Sequence, residues 1–177
     1  MTQEKLPPST RILFLDIDGV LNSELYFRKT EGKHIYPDTP DTHFNYRSTM
    51  VDREALMLVS DMCKENNIKV VLSSTWRLGF DSLKEINDFF TALGAEMEFI
   101  GATGTTKEGV RGVEIKVWID THIDVQYDKP YRNFVILDDD SDMLLNQAQN
   151  FFHVDGWYGV THNTVYKMKR FFNSFNP

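Results

Sequence analysis

Three runs of large apolar residues pass directly into polar ones: Ile12-Leu13-Phe14-Leu15, Ile68-Lys69-Val70-Val71-Leu72 and Phe134-Val135-Ile136-Leu137. Runs without in–out alternation read as strands covered on both faces, as in a parallel sheet. Between them the period changes. Ala55, Leu56, Val59 and Met62 recur at helical spacing and predict a helix over Met50–Glu65, stopped by Asn66-Asn67. A second helix fits Ser82–Leu93, capped by Asp81 or Ser82 and ended by Gly94. A short strand at Glu98–Ile100 precedes a glycine- and threonine-rich rim loop, and a helix fits Gly112–Ile119. A helix at Ser141–Gln149, a strand at Phe151–Val154 and a helix from about Thr161 to Phe172 complete the pattern. Residues 23–48 read as irregular, with turn formers at Pro37, Asp38, Pro40 and Asp41. Strands alternating with helices predict an α/β fold with helices on both faces of a parallel sheet.

The chemistry gathers where the apolar runs stop. The first ends in Asp16-Ile17-Asp18-Gly19, the second in Ser73-Ser74-Thr75-Trp76-Arg77, the third in Asp138-Asp139-Asp140-Ser141-Asp142. In a parallel sheet those ends share one edge, where ligands bind. Two carboxylates about 4 Å apart repel by roughly 4 kcal/mol at an effective dielectric near 20. A hard divalent cation held by oxygen ligands offsets that repulsion. A plain Asp-Gly turn is the competing explanation for Asp18-Gly19. Asp140 and Asp142 suit a helix N-terminus, and Asp142 is also placed to hold a metal-bound water.

These motifs, in this order, resemble the haloacid dehalogenase (HAD) superfamily of phosphohydrolases. The wording of Leu15–Asn22, Val71–Arg77, Arg111-Gly112-Val113-Glu114-Ile115 with Trp118, and Ile136–Asp142 is similar to the branch found in multidomain "Swiss Army knife" RNA-repair proteins. The resemblance implies a Rossmann-like fold with a five-stranded, mainly parallel sheet of order 5-4-1-2-3. It also implies a small cap-like insertion after the first strand, residues 23–48. By the same resemblance Asp16 is the nucleophile and Asp18 the proton donor and acceptor. Ser73 grips the phosphate, Arg111 supplies the positive charge (with Lys107 and Lys116 as substitutes), and Asp138 orients it. Mg2+ is the implied cofactor, held by Asp16, the main-chain carbonyl of Asp18 and Asp139. Ser74, Arg77, Lys116 and Trp157 are candidates for substrate contacts. Arg77 either holds a second anionic group or forms a salt bridge, and Trp157 either stacks a nucleobase or packs at the rim.

Composition narrows the function further. At 177 residues and 41% apolar, the chain is expected to form one domain with a sizeable core and a flexible stretch at residues 1–10. A net charge of −7 argues against general adhesion to nucleic acid, so such a substrate is gripped locally, at an end. The single Cys63, set in a helical pattern, reads as a buried hydrophobe in a reducing compartment. The five His show no zinc spacing. With no apolar segment near the ~20 residues of a membrane span, and none of signal type in residues 1–10, the expectation is a cytoplasmic protein that does not act at a membrane. The short insertion leaves an open edge. The leading expectation is therefore a Mg2+-dependent phosphomonoesterase working through an aspartyl-phosphate. Its substrate is a phosphorylated nucleotide or nucleic-acid end such as a 3′-phosphate. Alternatives are a mononucleotide or other small-molecule phosphatase, a phospho-Asp signalling receiver, or a non-catalytic binding module. Nothing in the sequence indicates an oligomeric state.

Overall fold

The computed structural model describes residues 4–30, 47–125 and 131–174. Strand β1 (Arg11–Leu15) leads to helix α1 (Glu24–Thr30), and α2 (Arg53–Asn66) leads to β2 (Ile68–Leu72). Then follow α3 (Leu83–Ala92), β3 (Glu98–Ala102), α4 (Arg111–His122), β4 (Phe134–Asp138), β5 (Phe151–His153) and α5 (His162–Asn173). The five strands form one sheet in the order β3-β2-β1-β4-β5, with every pairing parallel. Read from the other edge this is the expected 5-4-1-2-3.

Alternation along each strand sorts the core into two layers. Leu13, Leu15, Val70, Leu72, Val135 and Leu137 face α2, α3 and α5. Ile12, Phe14, Val71, Phe134 and Ile136 face α4, where Phe14 meets Trp118 edge-on at 5.5 Å. Cys63 is buried in the first layer, and burial pushes its thiol pKa up, away from reactivity. The register sets the site. Leu15 pairs with Leu72 on one side and Leu137 on the other, so the residues after all three end at one level. The ladder continues one step further: Ser73 N donates to Leu15 O at 2.8 Å and Asp16 N to Leu137 O at 3.0 Å.

Three features differ from the sequence reading. The segment Ser141–Gln149 is not a helix but carries a single 3-10 turn, Leu145–Gln147. Its polar groups are engaged elsewhere: the Gln147 amide donates to Gly112 O and accepts from Leu144 N. The stretch beginning at residue 23 opens with α1, and the rest of the cap-like insertion, residues 31–46, lies outside the described residues. The N-terminal stretch expected to be flexible is tied down from Leu6 onward. Leu6 bridges Ile123, and Thr10 O accepts from Tyr131 Oη at 2.6 Å. Among the described residues no helix is long and apolar enough to cross a membrane.

Candidate active site

Asp16 follows Phe14 in the strand alternation and Asp138 follows Ile136, so both carboxylates fall on the α4 side of the sheet. Both are buried. A crossover helix between parallel strands runs back along them, so α4 begins at the edge where the strands end. Its first residue, Arg111, places Nε 3.5 Å from Asp138 Oδ2 and Nη2 3.8 Å from Asp16 Oδ1. Val110 offers this helix no side-chain cap. Asp142 supplies it from the loop after β4, its Oδ2 accepting from Arg111 N at 2.7 Å. The acid expected to cap its own helix thus caps α4 and fixes where Arg111 starts.

Asp16, Asp138 and Asp139 each offer an oxygen within 4.8 Å of the others, the spacing of a metal-holding group. Asp139 is held in a notch with no room for side chains. Gly19, at φ +68°, would place a Cβ 2.0 Å from Asp139 Oδ2, and Gly156 would place one 2.6 Å from the same atom. His153 Nε2 donates to the Asp139 carbonyl at 2.7 Å. The Asp18 carboxylate stands apart from this trio and is exposed. Asn22 Nδ2 donates to its Oδ1 at 2.8 Å, and Trp76 Nε1 lies 3.0 and 3.1 Å from its two oxygens.

The electrostatics leave the trio short of positive charge. Burial raises the Asp16 pKa from 3.8 to about 6, with Asp18 adding to it against the Ser74 hydroxyl, Arg111 and the Ile17 amide. Burial and then the charge of Asp16 raise Asp138 to about 7, opposed by the Asp140 amide and Arg111. Asp139 is also raised, chiefly by burial. Asp138 Oδ2 is buried with no hydrogen-bond partner among the described residues. Its one near cation among them is Arg111, at 3.5 Å, and a bound divalent cation would neutralise the rest of the set. The donors therefore fit a hard metal ion.

The other candidate residues are placed as follows. Ser74 is fully buried and its hydroxyl favours the Asp16 carboxylate. The neighbouring Ser73 Oγ is buried without a hydrogen-bond partner among the described residues. Arg77 is turned inward and is not free at the edge. Its Nη2 meets Glu114 Oε2 at 3.0 Å and its Nη1 donates to Ser74 O at 2.8 Å. Glu114 Oε2 also takes Arg111 Nη1 at 3.5 Å. The structure does not bring Lys116 to the cluster; its half-exposed ammonium pairs with Asp120, one turn along α4. Trp157 is 41% exposed, with the Arg28 guanidinium 4.9 Å from its ring centre. Sequence reasoning missed Glu114, Trp76 and Asn22. Glu114 had a signal, since it is the acid in the buried register of α4 shared with Ile115, Trp118 and Ile119.

The fold and site together define a Rossmann-like α/β protein of HAD type, with an acid trio at the carboxyl edge of its sheet. Residues 12–165 match the family model of the HAD domain in Swiss Army Knife RNA repair proteins, and the chain belongs to that family. Neither the curated proteins nor the solved structures yield a match. Membership supports a HAD-type phosphatase in an RNA-repair setting.

Proposed function

We propose that this chain is a Mg2+-dependent phosphomonoesterase that removes a terminal phosphate from a nucleic-acid strand, a 3′-phosphate first among them. The observation that carries the reading is the strand register, which gathers Asp16, Asp138 and Asp139 beside the Arg111 guanidinium. In the first step an Asp16 oxygen attacks phosphorus, the bond to the leaving oxygen breaks, and Asp18 gives that oxygen its proton. In the second, water passes a proton to Asp18 and attacks the aspartyl-phosphate, releasing inorganic phosphate and restoring Asp16. Arg111 and the strand-end Ser hydroxyls face the phosphoryl oxygens as charge builds on them. Asp16, Asp139 and the Asp18 carbonyl would hold the Mg2+, with Asp138 beside them, and the ion would supply further positive charge against those oxygens. Trp157 is offered as a stacking face for the terminal base, since its neighbour Gly156 abuts Asp139.

The net acidic charge favours a second reading, a free mononucleotide as substrate, because a long strand gains little from this surface. A phosphatase screen with Mg2+ over 3′- and 5′-phosphorylated oligonucleotides and mononucleotides separates the two. Higher kcat/KM on the 3′-phosphorylated strand supports the first reading. Preference for mononucleotides replaces it with the second, and no turnover on any phosphomonoester overturns both.

The raised carboxylates also predict a pH-dependent response to the metal. A folded pKa above the unfolded one gives stability that is present at low pH and lost as pH rises through the folded value. For Asp16 the rise from 3.8 to about 6 corresponds to roughly 3 kcal/mol. The metal-free protein therefore loses this contribution between about pH 4 and about pH 7, and Mg2+ restores it by pairing with the charged forms. Thermal unfolding with and without millimolar Mg2+ is expected to show a clearly larger stabilisation near pH 8 than near pH 5. Equal shifts at both pH values would contradict the assignment.

A further inference from the structure

We propose that Trp76 is a positioning residue for Asp18, holding its carboxylate in place through the indole N–H for proton exchange with the leaving oxygen. The inference rests on the phosphomonoesterase reading and adds a residue to it.

Asp18 is exposed, on the turn after β1, where an aspartate left alone would rotate freely. Three observations show that it is held. Trp76 Nε1 lies within hydrogen-bond distance of both carboxylate oxygens, at 3.0 and 3.1 Å. Asn22, itself buried, donates to Oδ1 at 2.8 Å while its own Oδ1 accepts from Gly19 N at 2.9 Å. The indole is also fixed from behind. It packs on the first core layer, edge-on to Phe89 at 6.3 Å, and its backbone N–H is taken by Ser74 Oγ at 3.4 Å. Ser74 is the residue whose hydroxyl favours the Asp16 carboxylate, so a single short turn after β2 serves both acids of the first motif.

The choice of side chain fits the task. An indole N–H donates and cannot accept or ionise, so it never competes for the proton that Asp18 carries. With Asn22 and the indole both on Oδ1, the carboxylate keeps a free lone pair on Oδ2 for the leaving group or for water.

Proton donation matters most when the leaving oxygen is a poor leaving group, as a ribose or alkyl oxygen is, and least for p-nitrophenolate. Trp76→Phe keeps a ring against Phe89 and removes the N–H. We expect it to lower kcat/KM, which ends at formation of the aspartyl-phosphate, by about tenfold or more on a nucleoside monophosphate. On p-nitrophenyl phosphate the same variant is expected to lose less than about threefold. In an Asp18→Asn background, Trp76→Phe should cause no further loss on the nucleoside monophosphate. Equal losses on the two substrates, or additive losses with Asp18→Asn, would show that Trp76 only packs and would overturn the proposal. A second measurement needs no change at Trp76: the indole N–H proton resonance of Trp76 is expected to move in Asp18→Asn. An unmoved resonance overturns the proposal as well. If the unmodified chain turns over neither substrate, the phosphomonoesterase reading falls and this proposal with it; uniform losses in an active enzyme remove the proposal alone.

Discussion

Asp16→Asn is expected to abolish phosphatase turnover, by on the order of 10^3-fold or more, while the metal-free chain stays folded. An amide in place of the carboxylate cannot attack phosphorus, and the nearby Asp18 carboxylate is engaged by Trp76 and Asn22. The stability side of the result is the more discriminating half. At neutral pH and above, Asp16 is ionised in a buried place that favours its neutral form, beside Asp138, which is raised further still. Asparagine has the same shape without the charge. The variant should therefore melt no lower than the unmodified protein in chelator, and higher near pH 8, by up to roughly 3 kcal/mol. It should also respond less to added Mg2+. Calorimetry in chelator and in Mg2+, alongside initial rates, checks both halves. Full activity in the variant would remove Asp16 as nucleophile, and a lower melting temperature in chelator would contradict the electrostatic account.

Glu114→Gln is expected to destabilise the fold by about 3 kcal/mol, which for a chain of this size lowers the melting temperature by on the order of 10 °C. Glu114 and Arg77 are both nearly inaccessible, at 5% and 7% exposure, and Arg111 shares the same carboxylate oxygen. Burial pulls the Arg77 guanidinium below its ordinary pKa and Arg111 adds to that, with Glu114 opposing both. Removing the carboxylate that Arg77 and Arg111 share leaves Arg77 buried beside a second cation without its ion-pair partner, while Arg111 keeps Asp16 and Asp138. Most of the loss comes from the stranded Arg77. The double variant Arg77→Met with Glu114→Gln should accordingly recover much of the stability. Chemical denaturation of the two single variants and the double variant tests this; additive losses would rule out a shared pair. Activity is expected to fall in Glu114→Gln as well, because Arg111 loses one of the three carboxylates that orient it.

The sheet was legible because each central strand is a largely apolar run, broken only by Lys69 in β2, and the site because polar and charged residues appear where each run stops. Strand order was not in the periodicity and came from the family resemblance. Helix α1 escaped notice because none of its seven residues is buried, so Glu24–Thr30 carries no apolar stripe to read. The segment after β4 misled in the opposite sense. Asp142 and Gln147 looked like parts of a local helix, yet their hydrogen bonds go to the start of α4, and Leu145 is 93% exposed. A one-dimensional pattern cannot tell a polar group that caps its own helix from one that caps another. The same limit applies to Arg77, whose basic charge at a strand end suggested substrate while its partner lay 37 positions away. Ser73 and Ser74 could not be ranked from sequence, because which hydroxyl bears on Asp16 depends on how the chain turns after β2.

The loop bearing Gly156 and Trp157 is stitched to the first turn of α1 by two main-chain bonds, Glu24 N to Gly156 O at 3.1 Å and Leu25 N to Trp157 O at 3.0 Å. Gly156 in turn lies against Asp139. Whatever shifts the root of the insertion must therefore tug directly on an acid of the trio. On the proposed reading, a change at this contact would reach both the rim that admits substrate and the acid that would hold the ion, so the two would have to change together.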